Sequence, residues 1–279
     1  DTRILLNFLG SSASGNMVVV QGLFGSMSMA SWVTKARQLV AHRGNSWDHP
    51  ENSRASILSA IKMGADVIEF DISLTLDGFA IVLHGPTLQK TTTGRGKAGA
   101  LQWTEVREMV LVDSEGRETQ ETVPSVEGIL REFGSDSFWN LDIKDAGSLP
   151  DLVPLIDELE LSNRIVLSGL NLKEVRGFLR LHENINMLVN LSRLDKVILI
   201  FGFFVEQWFI YRYREVAADP SVIAINVNHR YVSNTLVKAI HSLGIEVWAF
   251  TVDDLQVVNE LFEMGVNSVT TNRPEIRNL

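Results

Sequence analysis

The 279-residue sequence contains no cysteine. That excludes a disulfide framework, thiolate catalysis and zinc sites built on cysteine, and it leaves the compartment open. A basic excess is also missing: 34 Asp and Glu against 25 Lys and Arg give a formal net charge of -9. Phosphate-backbone binding calls for the opposite sign, so a nucleic-acid partner is not expected. An acidic protein can still bind a phosphodiester if a cation and a few local positive side chains carry the charge. No apolar run reaches the roughly 20 residues that a membrane-spanning helix needs. Charge itself is absent from residues 4–34, yet Gly10, Ser11, Ser12, Ser14, Gly15 and Asn16 split that stretch into two short apolar runs, ILLNFL and MVVVQGLF. The chain opens on Asp1, the start expected of a processed or trimmed chain, and no basic region precedes a clean apolar core as in a secretory signal. Residues 1–38 therefore read as an uncharged N-terminal extension, an arm that packs on protein or, in a second reading, touches a membrane.

From residue 39 to 279 the composition is that of a globular α/β domain, with 45% apolar and 21% charged residues in the whole chain. The length suits one (β/α)8 TIM barrel, for which about 250 residues are typical. Short apolar runs alternate with helical patterns, as in a parallel sheet. Strand candidates are LVAHR, VIEFDI, AIVLH, FWNLDIK, RIVLSG, NMLVNL, VIAINV, VWAFTV and SVTTN. Helix candidates cover 53–63, 125–133, 149–159, 172–181, 233–243 and 254–264, with Ser125, Ser233 and Asp253 or Asp254 as N-caps. Gly244 and Gly265 follow two of them, where left-handed C-caps fall. Nine strands are one too many. VIEFDI and AIVLH are joined by a link containing Asp77-Gly78, a hairpin signal too short for a parallel crossover, so one of the two is not a regular barrel strand. Residues 197–211, VILIFGFFVEQWFIY, are intensely apolar. They read as a buried barrel element or as an exposed lip that meets lipid or a protein partner.

The chemistry concentrates in residues 42–96. Glu69 and Asp71 stand at i and i+2, so on a strand they share a face, while Ile68, Phe70 and Ile72 pack on the other. Carboxylates turned into a barrel are costly unless paired or bound to a metal, and oxygen ligands favour Mg²⁺ or Ca²⁺. Asp142 and Lys144 repeat the same spacing, adding a third carboxylate and a cation for a phosphate oxygen. A structural ring of ion pairs is the plainer alternative. His42 and His84 end different strand candidates and suit general acid–base work near neutral pH. His49, His182, His229 and His241 have no such surroundings and read as structural.

In order and spacing, AHRG, PEN, GADVIEFDISLTLDGFAIVLHGPTLQKTTTGRG, LDIK, VWAFTVDD and GVNSVTTNRP resemble the glycerophosphodiester phosphodiesterase family over most of residues 39–275. The resemblance implies a (β/α)-barrel with its site at the C-terminal face and one divalent cation. It implies that His42 and His84 are the acid–base pair, that Glu69 and Asp71 are metal ligands, and that Asp142 stands where the family usually has a glutamate as the third. Arg43 and Lys144 match phosphate-contacting cations, Trp248 a tryptophan-rich strand near substrate, and Glu51 a residue near the first histidine. In the family, the glycerol 2-hydroxyl is thought to attack phosphorus and water to open the resulting cyclic phosphate. Departures are His84-Gly85 for the usual His-Asp, Ser53 for threonine and TNRP for TDRP. Gly85 cannot orient the histidine or the next loop through a side chain. The related sphingomyelinase D toxins also carry His-Gly and an aspartate third ligand, but they rely on disulfides.

Three functions follow as expectations. The first is metal-dependent hydrolysis of glycerophosphodiesters to sn-glycerol 3-phosphate and an alcohol. The second is a lysophospholipase D or sphingomyelinase D-like enzyme with residues 197–211 gripping acyl chains. The third is an impaired barrel kept as a structural subunit of a larger, membrane-bound complex. The corresponding partners are a small-molecule or lysolipid phosphodiester, and a membrane or protein reached through residues 4–34 and 197–211.

Overall fold

The computed structural model describes residues 37–180, 185–202 and 204–278. The expectations for residues 4–34 and for His182 lie outside the described residues.

Eight parallel strands close into a barrel: β1 (Gln38–Ala41), β2 (Val67–Leu74), β6 (Trp139–Ile143), β7 (Ile165–Ser168), β8 (Asn186–Asn190), β9 (Val222–Asn228), β10 (Glu246–Phe250) and β11 (Ser268–Thr271). Closure is the parallel pairing of β1 with both β11 and β2. The surplus strand is β3 (Ala80–Val82), which folds back antiparallel on β2 across the Asp77-Gly78 turn. A short antiparallel pair, β4 (Val110–Val112) and β5 (Glu118–Thr122), belongs to the same excursion.

Helices α1 (Arg54–Met63), α2 (Trp103–Val106), α3 (Val126–Phe133), α4 (Leu149–Glu158), α5 (Leu172–Leu179), α6 (Arg193–Phe201), α7 (Val205–Tyr213), α8 (Asn234–His241) and α9 (Leu255–Glu263) intervene. Their starts lie where short polar side chains satisfy free amides. Ser53 accepts from Ser56 N, Ser125 from Gly128 N, Ser233 from Leu236 N, and Asp254 from Gln256 N and Val257 N. Gly244 and Gly265 both have positive φ.

Strand alternation builds two cores. Leu39, Ala41, Ile68, Phe70, Ile72, Leu141 and Ile143 face outward and pack under the helices. Val40, Val67, Val166, Leu188, Ala224 and Trp248 fill the barrel interior. Two residues further along, on the same inward face, the interior turns polar where Val166 gives way to Ser168, Leu188 to Asn190 and Ala224 to Asn226, while Trp248 is followed by Phe250. The barrel is thus sealed by apolar packing below and lined by donors and acceptors at its C-terminal mouth.

The apolar stretch 197–211 divides at Gly202, which ends α6 in the left-handed region. Beyond it α7 buries Val205, Phe209 and Tyr213 as an ordinary barrel helix, whereas α6 packs only Ile198 and Leu199 against the core and leaves Leu194, Val197, Ile200 and Phe201 exposed.

Candidate active site

The β2/β6 register sets Asp71 beside Asp142 and Glu69 beside Asn140. This brings one carboxylate oxygen each of Glu69, Asp71 and Asp142 within 4.8 Å of one another. Glu69 and Asp71 are buried and Asp142 half-buried. Gly169, with φ +84°, lets the end of β7 come this close: a Cβ there would stand 2.4 Å from Asp142 Oδ1 and 2.3 Å from Ile143 O.

Two cations thread the carboxylates. Lys144 Nζ lies 2.7 Å from Asp71 Oδ1 and 2.5 Å from Asp142 Oδ2. Arg43, one step past His42 and in the left-handed region, pairs with Glu51 Oε1 at 2.7 Å and with Asp71 Oδ2 at 3.0 Å. Its amide donates to Glu69 Oε2 at 2.8 Å. Asn52 completes the holding of Asp71: its Nδ2 donates to Asp71 Oδ2 at 2.8 Å, and its Oδ1 accepts from Asp71 N at 3.1 Å.

Burial and the charges of Asp71 and Asp142 push Glu69 well above the usual carboxylate range. Burial alone would raise Asp71 too, but Lys144 and Arg43 hold it below its ordinary value. Burial raises Asp142 against the pull of Lys144. Burial opposes the charge on Arg43 and Lys144, yet the surrounding carboxylates raise both above their ordinary values. Four carboxylates, Glu51 included, face two cations, a deficit of two positive charges. Glu69 Oε1 and Asp142 Oδ1 are buried and accept no hydrogen bond among the described residues. An oxygen-only donor set with idle lone pairs and that charge deficit fits a hard divalent cation.

His42 follows β1, with its amide donating to Thr271 O at 2.8 Å, and lines the cavity of about 320 Å³ that also holds Glu69, Asp142 and Lys144. Its Nδ1 is 2.6 Å from Asn272 Oδ1. Asn272 Nδ2 donates to Asp253 Oδ2 at 2.7 Å, which fixes the amide's orientation because a carboxylate only accepts. The oxygen therefore faces the imidazole, Nδ1 carries the proton, and Nε2 keeps its lone pair. Burial, assisted by Arg43, lowers the His42 pKa to about 4, although Asn272, Asp71 and Glu51 pull it upward. Of the two adjacent aspartates, Asp254 caps α9 while Asp253 serves Asn272.

His84 stands just past β3, where Leu83 N donates to Asp71 O at 3.1 Å. It is half-buried, and burial lowers its pKa while Asp71 opposes the shift. It does not line the His42 cavity; Gly85 beside it lines an adjoining cavity of about 480 Å³ that shares Lys144. A Cβ on Gly85 would lie 2.5 Å from Ser73 Oγ. That hydroxyl accepts from Gly85 N at 3.2 Å and donates to Leu83 O at 2.8 Å. The loop that lacks an aspartate is thus anchored by Ser73 instead.

The structure brings together His42, Arg43, Glu51, Glu69, Asp71, Asp142 and Lys144, with His84 at their edge. It does not bring Trp248 there. That indole is buried in the lower barrel core and donates to Glu246 Oε2 at 2.9 Å; Phe250, one inward position higher, lines the cavity instead. The sequence alone assigned no site role to Asn52, Gly169 or the polar ring of Asn140, Ser168, Asn190 and Asn226; Asp253 read only as an N-cap candidate and Asn272 only as the departure in TNRP. The ring had a signal: apolar side chains giving way to polar ones at the same strand parity.

A glycerophosphoryl diester phosphodiesterase family model matches residues 42–276. The sequence is 25% identical over 246 residues to the glycerophosphodiester phosphodiesterase of Caldanaerobacter subterraneus subsp. tengcongensis, covering 85% of this chain and 94% of that one. It is 41% identical over 70 residues to human glycerophosphodiester phosphodiesterase 1, which is 25% of this chain and 21% of that protein. In fold it is similar to an Oleispira antarctica phosphodiesterase solved with the product sn-glycerol-3-phosphate, with TM-score 0.73, 21% identity, and coverage of 87% and 96%. Barrel, acidic mouth and relatives define a phosphodiester hydrolase. The chain belongs to the glycerophosphoryl diester phosphodiesterase family.

Proposed function

We propose that the protein hydrolyses glycerophosphodiesters to sn-glycerol 3-phosphate and an alcohol, placing it in glycerol and lipid metabolism. The observation that carries this reading is the convergence of Glu69, Asp71 and Asp142 beside His42 and Lys144 at the barrel mouth. The product bound to the Oleispira relative, and the names of the other relatives, support the substrate class.

Glu69, Asp71 and Asp142 would hold one divalent cation, Mg²⁺ or Ca²⁺, which when bound supplies charge for the phosphate oxygens and acidifies a bound hydroxyl. Lys144 and Arg43 orient the phosphate and meet its developing charge. His42, neutral with Nε2 free, accepts the proton of the glycerol 2-hydroxyl as it attacks phosphorus. His84 donates to the alkoxide that leaves as the P–O bond breaks, a role that needs the imidazolium that burial opposes and Asp71 and Glu51 favour. Water then opens the cyclic phosphate to glycerol 3-phosphate with the two proton roles exchanged. Asn272 and Asp253 keep His42 in the accepting tautomer.

The test is release of glycerol 3-phosphate from glycerophosphocholine with Mg²⁺, with Ca²⁺ and with chelator, beside His42→Ala. Metal-dependent release that the variant loses supports the reading; equal release by the variant sinks the role of His42. The exposed apolar face of α6 favours a second reading, a lysophospholipase D. Faster hydrolysis of lysophosphatidylcholine than of glycerophosphocholine would select it. No turnover of either by folded protein would leave the impaired structural barrel.

A further inference from the structure

Helix α6 packs Ile198 and Leu199 against the core and turns a second apolar face outward. Leu194, Val197 and Phe201 recur at i, i+3 and i+7, and Ile200 and Phe204 widen the stripe; their exposures run from 44% at Val197 to 79% at Phe204. The inward side also holds Asp195, which is fully buried. Its Oδ1 accepts from Trp208 Nε1 at 3.0 Å and pairs with Arg212 Nε at 2.8 Å. Its Oδ2 accepts from Tyr213 Oη at 2.8 Å and from Ser192 N at 2.9 Å. The one acidic side chain of α6 is thereby locked against α7, which leaves Leu194, Val197, Ile200 and Phe201 on the surface. A contiguous exposed apolar face on a soluble fold marks a contact surface.

We propose that α6 and the turn to Phe204 dock on an anionic phospholipid surface, setting the barrel mouth against the lipid. Three observations select this occupant. Two cations of α6 itself flank the stripe in a chain of net charge -9, exposed Arg193 and half-buried Lys196, neither ion-paired among the described residues, against one exposed acidic side chain, Glu206, at the start of α7. Phe201, Phe204 and Tyr211, the last 70% exposed, are the side chains that settle at a lipid–water boundary. The helix also sits on the catalytic rim: it begins three residues past Asn190, which lines the His42 cavity, and packs against the turn His229–Tyr231 that follows β9. At nine residues α6 is too short to span, so the contact is interfacial. The inference rests on the phosphodiesterase reading only for its purpose, since binding is measured without turnover.

The experiment is cosedimentation of the full chain with vesicles of phosphatidylcholine alone or with about 30% phosphatidylserine, at low and high salt. The expected result is binding to the anionic vesicles that salt weakens. The double variant Phe201→Glu/Phe204→Glu should reduce that binding about tenfold or more, with turnover of glycerophosphocholine unchanged. Phe201→Ser/Phe204→Ser repeats the test without added charge. Three results would overturn the proposal: no sedimentation of the wild type with either vesicle; equal sedimentation of both variants, which puts the contact elsewhere, residues 1–36 included; or a dimer that the variants dissociate, which makes the occupant a second copy.

Discussion

Asp71 and Asp195 are both fully buried carboxylates, and they teach opposite lessons. Asp195 is saturated: Trp208, Tyr213, Ser192 and Arg212 surround both its oxygens. Such a group is complete and asks for nothing more. Asp71 is held almost as firmly by Asn52, Arg43 and Lys144, but it sits beside Glu69 and Asp142, each with a buried oxygen that accepts no hydrogen bond among the described residues. The unused acceptors, and the raised pKa of Glu69 that follows from burial and then from the crowding of like charges, separate a binding site from a structural pin.

Neutralising one carboxylate at each place sharpens this contrast. The largest effect is expected from Glu69→Gln, which should lower turnover about 100-fold or more in a steady-state assay. In chelator at pH 7 the same variant should match or exceed the wild type in urea denaturation. The sign follows from linkage: a carboxyl whose folded pKa is raised withdraws stability as pH climbs above its unfolded value, about 4.5, and glutamine removes that loss. Below that pH the two proteins should converge. A variant strongly destabilised at neutral pH would break the comparison.

Asp195→Ala should do the reverse. Removing it strands the Arg212 guanidinium and the Tyr213 hydroxyl, at a cost of about 3–5 kcal/mol in the same denaturation experiment. Turnover of glycerophosphocholine per folded molecule should stay near wild type. Loss of activity without loss of stability would place Asp195 with the catalytic groups instead.

The smallest effect concerns His42. With its pKa lowered to about 4, the imidazole is a base above that pH, so the acid limb of the rate profile should fall as pH drops through about 4. Asn272→Asp places a negative charge against Nδ1, which favours the imidazolium and should move that limb upward by about one pH unit. An unmoved limb would remove Asn272 from the control of His42.

Much of the mouth was readable because it obeys a local rule. The i, i+2 spacing of Glu69 and Asp71, and of Asp142 and Lys144, fixes a shared strand face without knowledge of the fold. The Asp77-Gly78 turn likewise marked the surplus strand. What escaped is long-range or depends on depth. Asn272 meets His42 across 230 residues, and Gly169 matters only because β7 lies against β6. Trp248 has the right parity to face inward, but its height in the barrel decides whether it packs or binds. Gly85 reads as a missing aspartate until Ser73 is seen in the space a side chain would take.

By itself the sequence determined the element types, the barrel's alternation of buried and inward residues, and the identity of the charged groups. Periodicity, capping and turn chemistry act over a few residues, and the chain order supplies them. Only the tertiary structure decided which charges are satisfied and which are left open, because that depends on donors brought in from other strands and helices. It also decided the direction of α6. An apolar run reads the same whether it is turned in or out, and the donors on α7 that hold Asp195 inward leave the stripe on the surface.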